Sequence, residues 1–152
     1  NDYYLTRQID GSYNKNGSIF MDYRNASDFS DRNTIIYGHH MRTGNMFGKL
    51  VNFKSDSYYQ QHDHMFIMTP QVTYRLELLC GAVVEPDDPI YSIDPTEEAL
   101  AACMRRSTFQ TKLDLPGEEA RLVTLSTCSY EFEDARYIVI GVLTPLEETV
   151  KN

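Results

Sequence analysis

Two stretches near the C-terminal end decide the fold: RLVTLSTC, Arg121–Cys128, and RYIVIGVL, Arg136–Leu143. Each opens on an arginine, runs through β-branched and aliphatic side chains, and reads as a strand. Ser129–Ala135 between them is a loop, longer than a tight hairpin turn. Antiparallel pairing across that loop returns Arg136 to the side of Cys128, and the cysteine, ending its strand, falls at a sheet rim instead of inside the core.

Further strands appear upstream. Val72–Leu78 alternates, with Val72, Tyr74, Leu76 and Leu78 facing one way, and the strand is expected to run on through Val84. SIFMD (Ser18–Asp22) and TIIY (Thr34–Tyr37) are shorter strand-like runs, separated by the polar loop Arg24–Asn33. Met46, Phe47, Leu50 and Phe53 have helical spacing, and Ser55 is placed to cap a short helix over Ser55–His62. Glu85–Pro95 is rich in proline and acid and reads as a loop. Asp94-Pro95-Thr96-Glu97 then predicts a helix start, with Asp94 as N-cap, Pro95 at N1 and Glu97 closing a capping box. That helix is expected to reach about Lys112, before Pro116-Gly117 breaks the chain. Strands outnumber helices and most connections are too short for parallel crossovers. The expected fold is mainly β, a largely antiparallel, closed or nearly closed sheet with peripheral helices and one helical insertion, Glu85–Glu119.

At 152 residues the chain is one domain's worth, 1–152, able to bury roughly 68–70% of its unfolded surface. Its formal charge of −8 excludes a surface built to hold nucleic-acid backbones. No apolar run is long enough to span a bilayer. From the Asn1 start and the lack of an apolar leader, a trimmed or mature domain is the expectation. Three cysteines, Cys80, Cys103 and Cys128, are too few for a disulfide framework, and an odd number leaves at least one free thiol.

Cys128 is the thiol placed for chemistry. A cysteine becomes a nucleophile when a base or a positive charge favours its thiolate. Arg136, eight residues on, supplies charge, and His39, just past the Thr34–Tyr37 strand, supplies a base. Three such groups at strand ends make an acyl-transfer site: cysteine attacks, histidine moves protons, arginine steadies the oxyanion or the substrate. Taken singly, each also has an ordinary reading: a cysteine as a small core hydrophobe, an arginine in solvent, a histidine in a loop.

Thr124-Leu125-Ser126-Thr127-Cys128 followed by Arg136 resembles the TLxTC…R signature of sortases, the cysteine transpeptidases of Gram-positive cell walls. Thr34-Ile35-Ile36-Tyr37-Gly38-His39 resembles the strand that carries their histidine. Tyr4-Leu5, Gly17-Ser18-Ile19-Phe20, Asp22-Tyr23-Arg24-Asn25 and His39-His40-Met41 leading to Met46-Phe47 are similar to class B members. The resemblance implies an eight-stranded β-barrel with an N-terminal helical segment and a long helix before the cysteine strand. It implies Cys128 as nucleophile, His39 as acid and base in preference to His40, and Arg136 as oxyanion or substrate stabiliser. Ser126, Thr127 and Tyr91 are the implied substrate contacts, while Ser129 stands where some members carry an acidic residue.

The implied partners are a sorting-signal pentapeptide on a secreted protein and an amine of a peptidoglycan precursor or, in pilin-joining members, a pilin lysine. No cofactor or metal is implied, and the implied location is the outer face of the membrane, held by an N-terminal anchor outside this sequence. A cysteine peptidase that hydrolyses the same acyl enzyme, and a non-catalytic binding domain, are the rival functions. His62-Asp63-His64 lacks the further ligands of a metal site and reads as a solvated helix end. The sequence leaves open whether Cys80 and Cys103 form a bridge, which requires that the helix pack over the Val72–Val84 strand in a compartment that permits it.

Overall fold

A computed structural model describes residues 1–146. Its elements in chain order are β1 (Phe20–Met21), β2 (Asn33–Tyr37), α1 (Asp56–Gln61), β3 (His64–Met68), β4 (Thr73–Val84), α2 (Glu97–Arg105), β5 (Arg121–Cys128) and β6 (Arg136–Pro145). Short 3₁₀ turns cover Asp2–Leu5, Leu50–Lys54 and Pro89–Tyr91, and the first of these is the N-terminal helical segment.

The strands form one curled sheet in the order β1-β2-β5-β6-β4-β3. Every pairing is antiparallel except β2 with β5, which run parallel. Eight strands are not found: the described residues hold six, plus isolated bridges at Arg7–Tyr13 and His40–Met46. The first bridge lies in the polar, tyrosine-rich start and the second in the glycine-containing loop, and in neither is the pairing continued into a ladder.

Both faces of the sheet are covered. Tyr74, Leu76 and Leu78 of β4 join Val123, Leu125, Tyr137 and Val139 in one cluster, closed by Leu50, Phe53, Tyr59 and Phe109. Cys80, Ala82 and Val84 join Leu122, Ile138 and Ile140 in the other, closed by Ile90, Leu100 and Cys103. Even-numbered residues of one strand thus serve both clusters. A register shift between Leu78 and Cys80 makes this happen, since one extra residue sends every later side chain to the opposite face. The expected alternation holds up to Leu78 and inverts there.

Helix α2 starts later and ends earlier than its sequence suggests. Thr96 is the N-cap, its hydroxyl accepting from Ala99 N at 3.1 Å, so Asp94 and Pro95 precede the helix. It stops at Arg105 because Phe109 is drawn across to the other cluster, where its ring stacks on Tyr59 at 4.2 Å. Thr108 holds this crossing by donating to the Phe53 carbonyl at 2.8 Å. His64 opens strand β3 and contacts Asp63 at 2.7 Å, whereas His62 ends α1 against the Tyr58 carbonyl at 2.9 Å.

Candidate active site

The β5–β6 ladder pairs Cys128 with Arg136 directly, closing the loop Ser129–Ala135 as the sequence spacing requires. The parallel β2–β5 ladder ends with Tyr37 opposite Ser126, and Gly38 N donates to the Ser126 carbonyl at 3.0 Å. Continuing that register by two residues brings His39 level with Cys128. Three strand ends therefore converge on one rim.

A recess of about 90 Å³ opens there, lined by His39, Ser126, Thr127, Cys128 and Arg136 together with Leu5 and Tyr37. Cys128 is half-buried and open to the recess, while Cys80 and Cys103 are sealed in the core. The Arg136 guanidinium is held by the Asp134 and Ala135 carbonyls, at 2.9 and 3.2 Å, through one nitrogen. Among the described residues no carboxylate pairs with it, so its other N–H groups remain for an incoming oxygen.

The adjacent histidines divide. His39 lines the recess. His40 is turned onto the backbone, its Nδ1 lying 3.1 Å from the Cys128 carbonyl and its ring packed 5.4 Å from Tyr130. Gly38 leaves room for the Phe47 ring: a Cβ there would sit 2.5 Å from it. Phe47 N in turn donates to the His39 carbonyl at 3.0 Å, holding the loop.

A wider groove of about 650 Å³ adjoins the recess, sharing Leu5, Phe20, Tyr37 and Arg136 with it and extending past Asp22, Asp88 and Tyr91. Tyr91 lies at the junction, its hydroxyl 2.7 Å from Ser126 Oγ and its ring stacked on Tyr37. Burial pushes the Tyr91 phenol up to about 12, keeping it neutral as a hydrogen-bonding group. Asn33 pins this wall, its amide nitrogen donating to the Ile90 and Ser92 carbonyls while its Oδ1 accepts from Thr124 at 2.8 Å.

Two supports were not assigned from the sequence. Asp22 is almost fully buried and accepts from Arg24, the Tyr37 hydroxyl and Asn1. Burial alone would raise its carboxyl, but the Arg24 and Tyr37 donors outweigh that and hold it at about 2. Beyond Cys128, Ser129 is buried and shared by Lys54, which donates at 2.8 Å, and Glu131, to which its hydroxyl donates. Burial likewise raises Glu131, and Lys54 and Ser129 overcome it to leave the carboxyl at about 2. Glu131 thus sets a carboxylate beside Ser129. In Asp22-Tyr23-Arg24 the only signal was a carboxylate two residues before an arginine. Lys54 and Glu131 are too far apart in sequence to have given one.

Among the described residues no helix is long and apolar enough to cross a membrane, and no cluster of three or more His, Cys, Asp or Glu could hold a metal ion.

Residues 1–144 match the family model for the sortase domain. Sortase B of Listeria monocytogenes is 33% identical, over 94% of this chain and 61% of its own length. The chain spans about three fifths of the curated relatives it matches. Among solved structures, the Staphylococcus aureus sortase B–substrate complex superposes with a TM-score of 0.87 at 26% identity, over 97% of this chain and 71% of that one. A Streptococcus pyogenes class B sortase involved in pilus biogenesis gives 0.82 at 31% identity, over 93% and 80%. A curled sheet bringing a cysteine, a histidine and an arginine to one rim, with this likeness along nearly the whole chain, establishes that the protein belongs to the sortase family, among relatives of class B.

Proposed function

We propose that the protein is a cysteine transpeptidase that cleaves a sorting-signal pentapeptide and joins the released acyl group to an amine. The observation that carries this is the recess shared by His39, Cys128 and Arg136, adjoining a wider groove of about 650 Å³.

The Cys128 thiolate attacks the carbonyl of a Thr–Gly or Thr–Asn bond, and Arg136 donates to the oxygen as it takes up negative charge. His39, as imidazolium, protonates the departing amine, leaving a thioacyl enzyme. An acceptor amine then attacks the thioester, neutral His39 takes its proton, and Cys128 leaves as thiolate. The acyl bond energy is carried through the thioester, so the cycle uses no nucleotide. Ser126 and Thr127, both almost fully buried, line the recess beside Cys128, and Tyr91, hydrogen-bonded to the Ser126 hydroxyl, forms the wall at the junction of recess and groove. The acceptor is an amine of a peptidoglycan precursor, and the site works on the outer face of the membrane, held there by an N-terminal anchor.

That the Staphylococcus aureus sortase B is solved as a substrate complex supports reading the recess and groove as a substrate site. Likeness to the pilus-biogenesis sortase favours a second acceptor, a pilin lysine. One set of assays separates these readings. A peptide library is offered with triglycine, with a lysine peptide, or with water alone. A transpeptidase yields the amide with the preferred amine, whereas a peptidase yields only acid. Cys128→Ala is expected to abolish cleavage with the fold intact, and retained cleavage refutes the assignment.

A further inference from the structure

Two of the three thiols have no place in this chemistry, yet they meet. Cys80 Sγ and Cys103 Sγ lie 3.6 Å apart, both with no solvent exposure, where α2 packs on β4. Cys80 follows immediately on the register shift in β4, and that shift turns it toward α2 instead of toward the opposite cluster. Cys103 shares the helix's buried side with Leu100. The surroundings are aliphatic, with Leu79, Ala82, Ile90 and Ile140 in the same cluster. A metal would need further ligands, and none is gathered here among the described residues.

We propose that Cys80 and Cys103 are the two halves of a disulfide that staples α2 to β4. The sulfurs need to approach by only ~1.5 Å to reach bonding distance. The bond closes a ring over residues 80–103, and that ring contains Tyr91 at the junction of recess and groove. The covalent tie therefore limits how far this wall departs from Ser126.

Formation is a two-step exchange with a disulfide oxidant such as oxidised glutathione. One cysteine thiolate attacks the oxidant's disulfide and expels a thiol, giving a mixed disulfide. The second cysteine attacks the protein-side sulfur and expels the other thiol. The protein loses two electrons and two protons, and the oxidant is reduced to two thiols. In the docked state the neighbouring thiol and burial push Cys80 well up, so the pair is closed to solvent oxidants. The exchange takes place before α2 docks.

The test uses the Cys128→Ala chain, which has no other thiol, so its outcome is independent of whether Cys128 is catalytic. The chain is unfolded, refolded in a glutathione redox buffer, quenched with N-ethylmaleimide and weighed under denaturing conditions. A chain lighter by two hydrogens and free of maleimide is expected, with a Cys80–Cys103 linked peptide on digestion. Its thermal midpoint should exceed that of the reduced chain by roughly 10 °C, from closing a ring of this length in a domain of this size. A second chain, also carrying Cys103→Ala, should show no difference between oxidising and reducing buffers. Two maleimides per chain, a glutathione adduct on either cysteine, or a linked chain no more stable than the reduced one would each overturn the proposal.

Discussion

Replacing Asp22 by asparagine tests whether the groove wall is held electrostatically. The Asp22 side chain is 1% exposed, and its two oxygens accept from Arg24 Nε at 2.9 Å, Arg24 Nη2 at 3.2 Å, the Tyr37 hydroxyl at 2.8 Å and Asn1 Nδ2 at 3.1 Å. Asparagine keeps the shape but offers one acceptor oxygen, so its NH₂ group must face donors. The carboxyl falls from its usual 3.8 to about 2 in the folded protein, a preference worth about 2 kcal/mol once discounted for the solvent reaching Arg24. The folded value lies below the unfolded one, so this stability is present above about pH 4 and drains away as pH falls through about 2. Urea unfolding of both chains across pH is the assay. The substitution should cost about 2 kcal/mol at pH 7, a drop of roughly 4–8 °C in thermal midpoint, and the gap should halve near pH 3. A gap under about 0.5 kcal/mol at pH 7, or one equally large at pH 2.5, would refute the reasoning.

Gly38→Ala places a Cβ against the Phe47 ring and should displace either that ring or His39. We expect a loss of about 1–3 kcal/mol in stability and a fall in peptide cleavage, and unchanged unfolding and activity would contradict the packing. For Arg136→Lys, one ammonium replaces a planar fork beside Cys128, and the acylation rate should fall roughly 100-fold in single-turnover assays. Near-normal rates would show that Arg136 only tunes the site.

The site was more legible than the fold's perimeter, for a physical reason. Cys128 and Arg136 bracket one loop between two alternating strands, so local periodicity and spacing determine their pairing. His39 follows a short β-branched strand, but its choice over the adjacent His40 rests on the family resemblance and not on spacing. Strand β3 went unread because HMFIM lies half-exposed beside β4, and a short apolar run carries no period of its own. The parallel pairing of β2 with β5 joins segments far apart in sequence, which spacing cannot report. The later start of α2 reflects a contest between two good caps, and Thr96 prevailed. Its early stop came from Phe109, whose partners Phe53 and Tyr59 lie some fifty residues upstream. The extra residue near Leu79 that turns Cys80 toward α2 leaves no mark in an unbroken apolar run.

The most direct measurement is the intact mass of the protein after incubation with a sorting-signal peptide and no acceptor amine. An adduct equal to the peptide's N-terminal fragment, on Cys128 alone and discharged as an amide by added triglycine, is the expected result. Cleaved peptide with no adduct at Cys128, or the same adduct on a Cys128→Ala chain, would contradict acyl transfer through this sulfur.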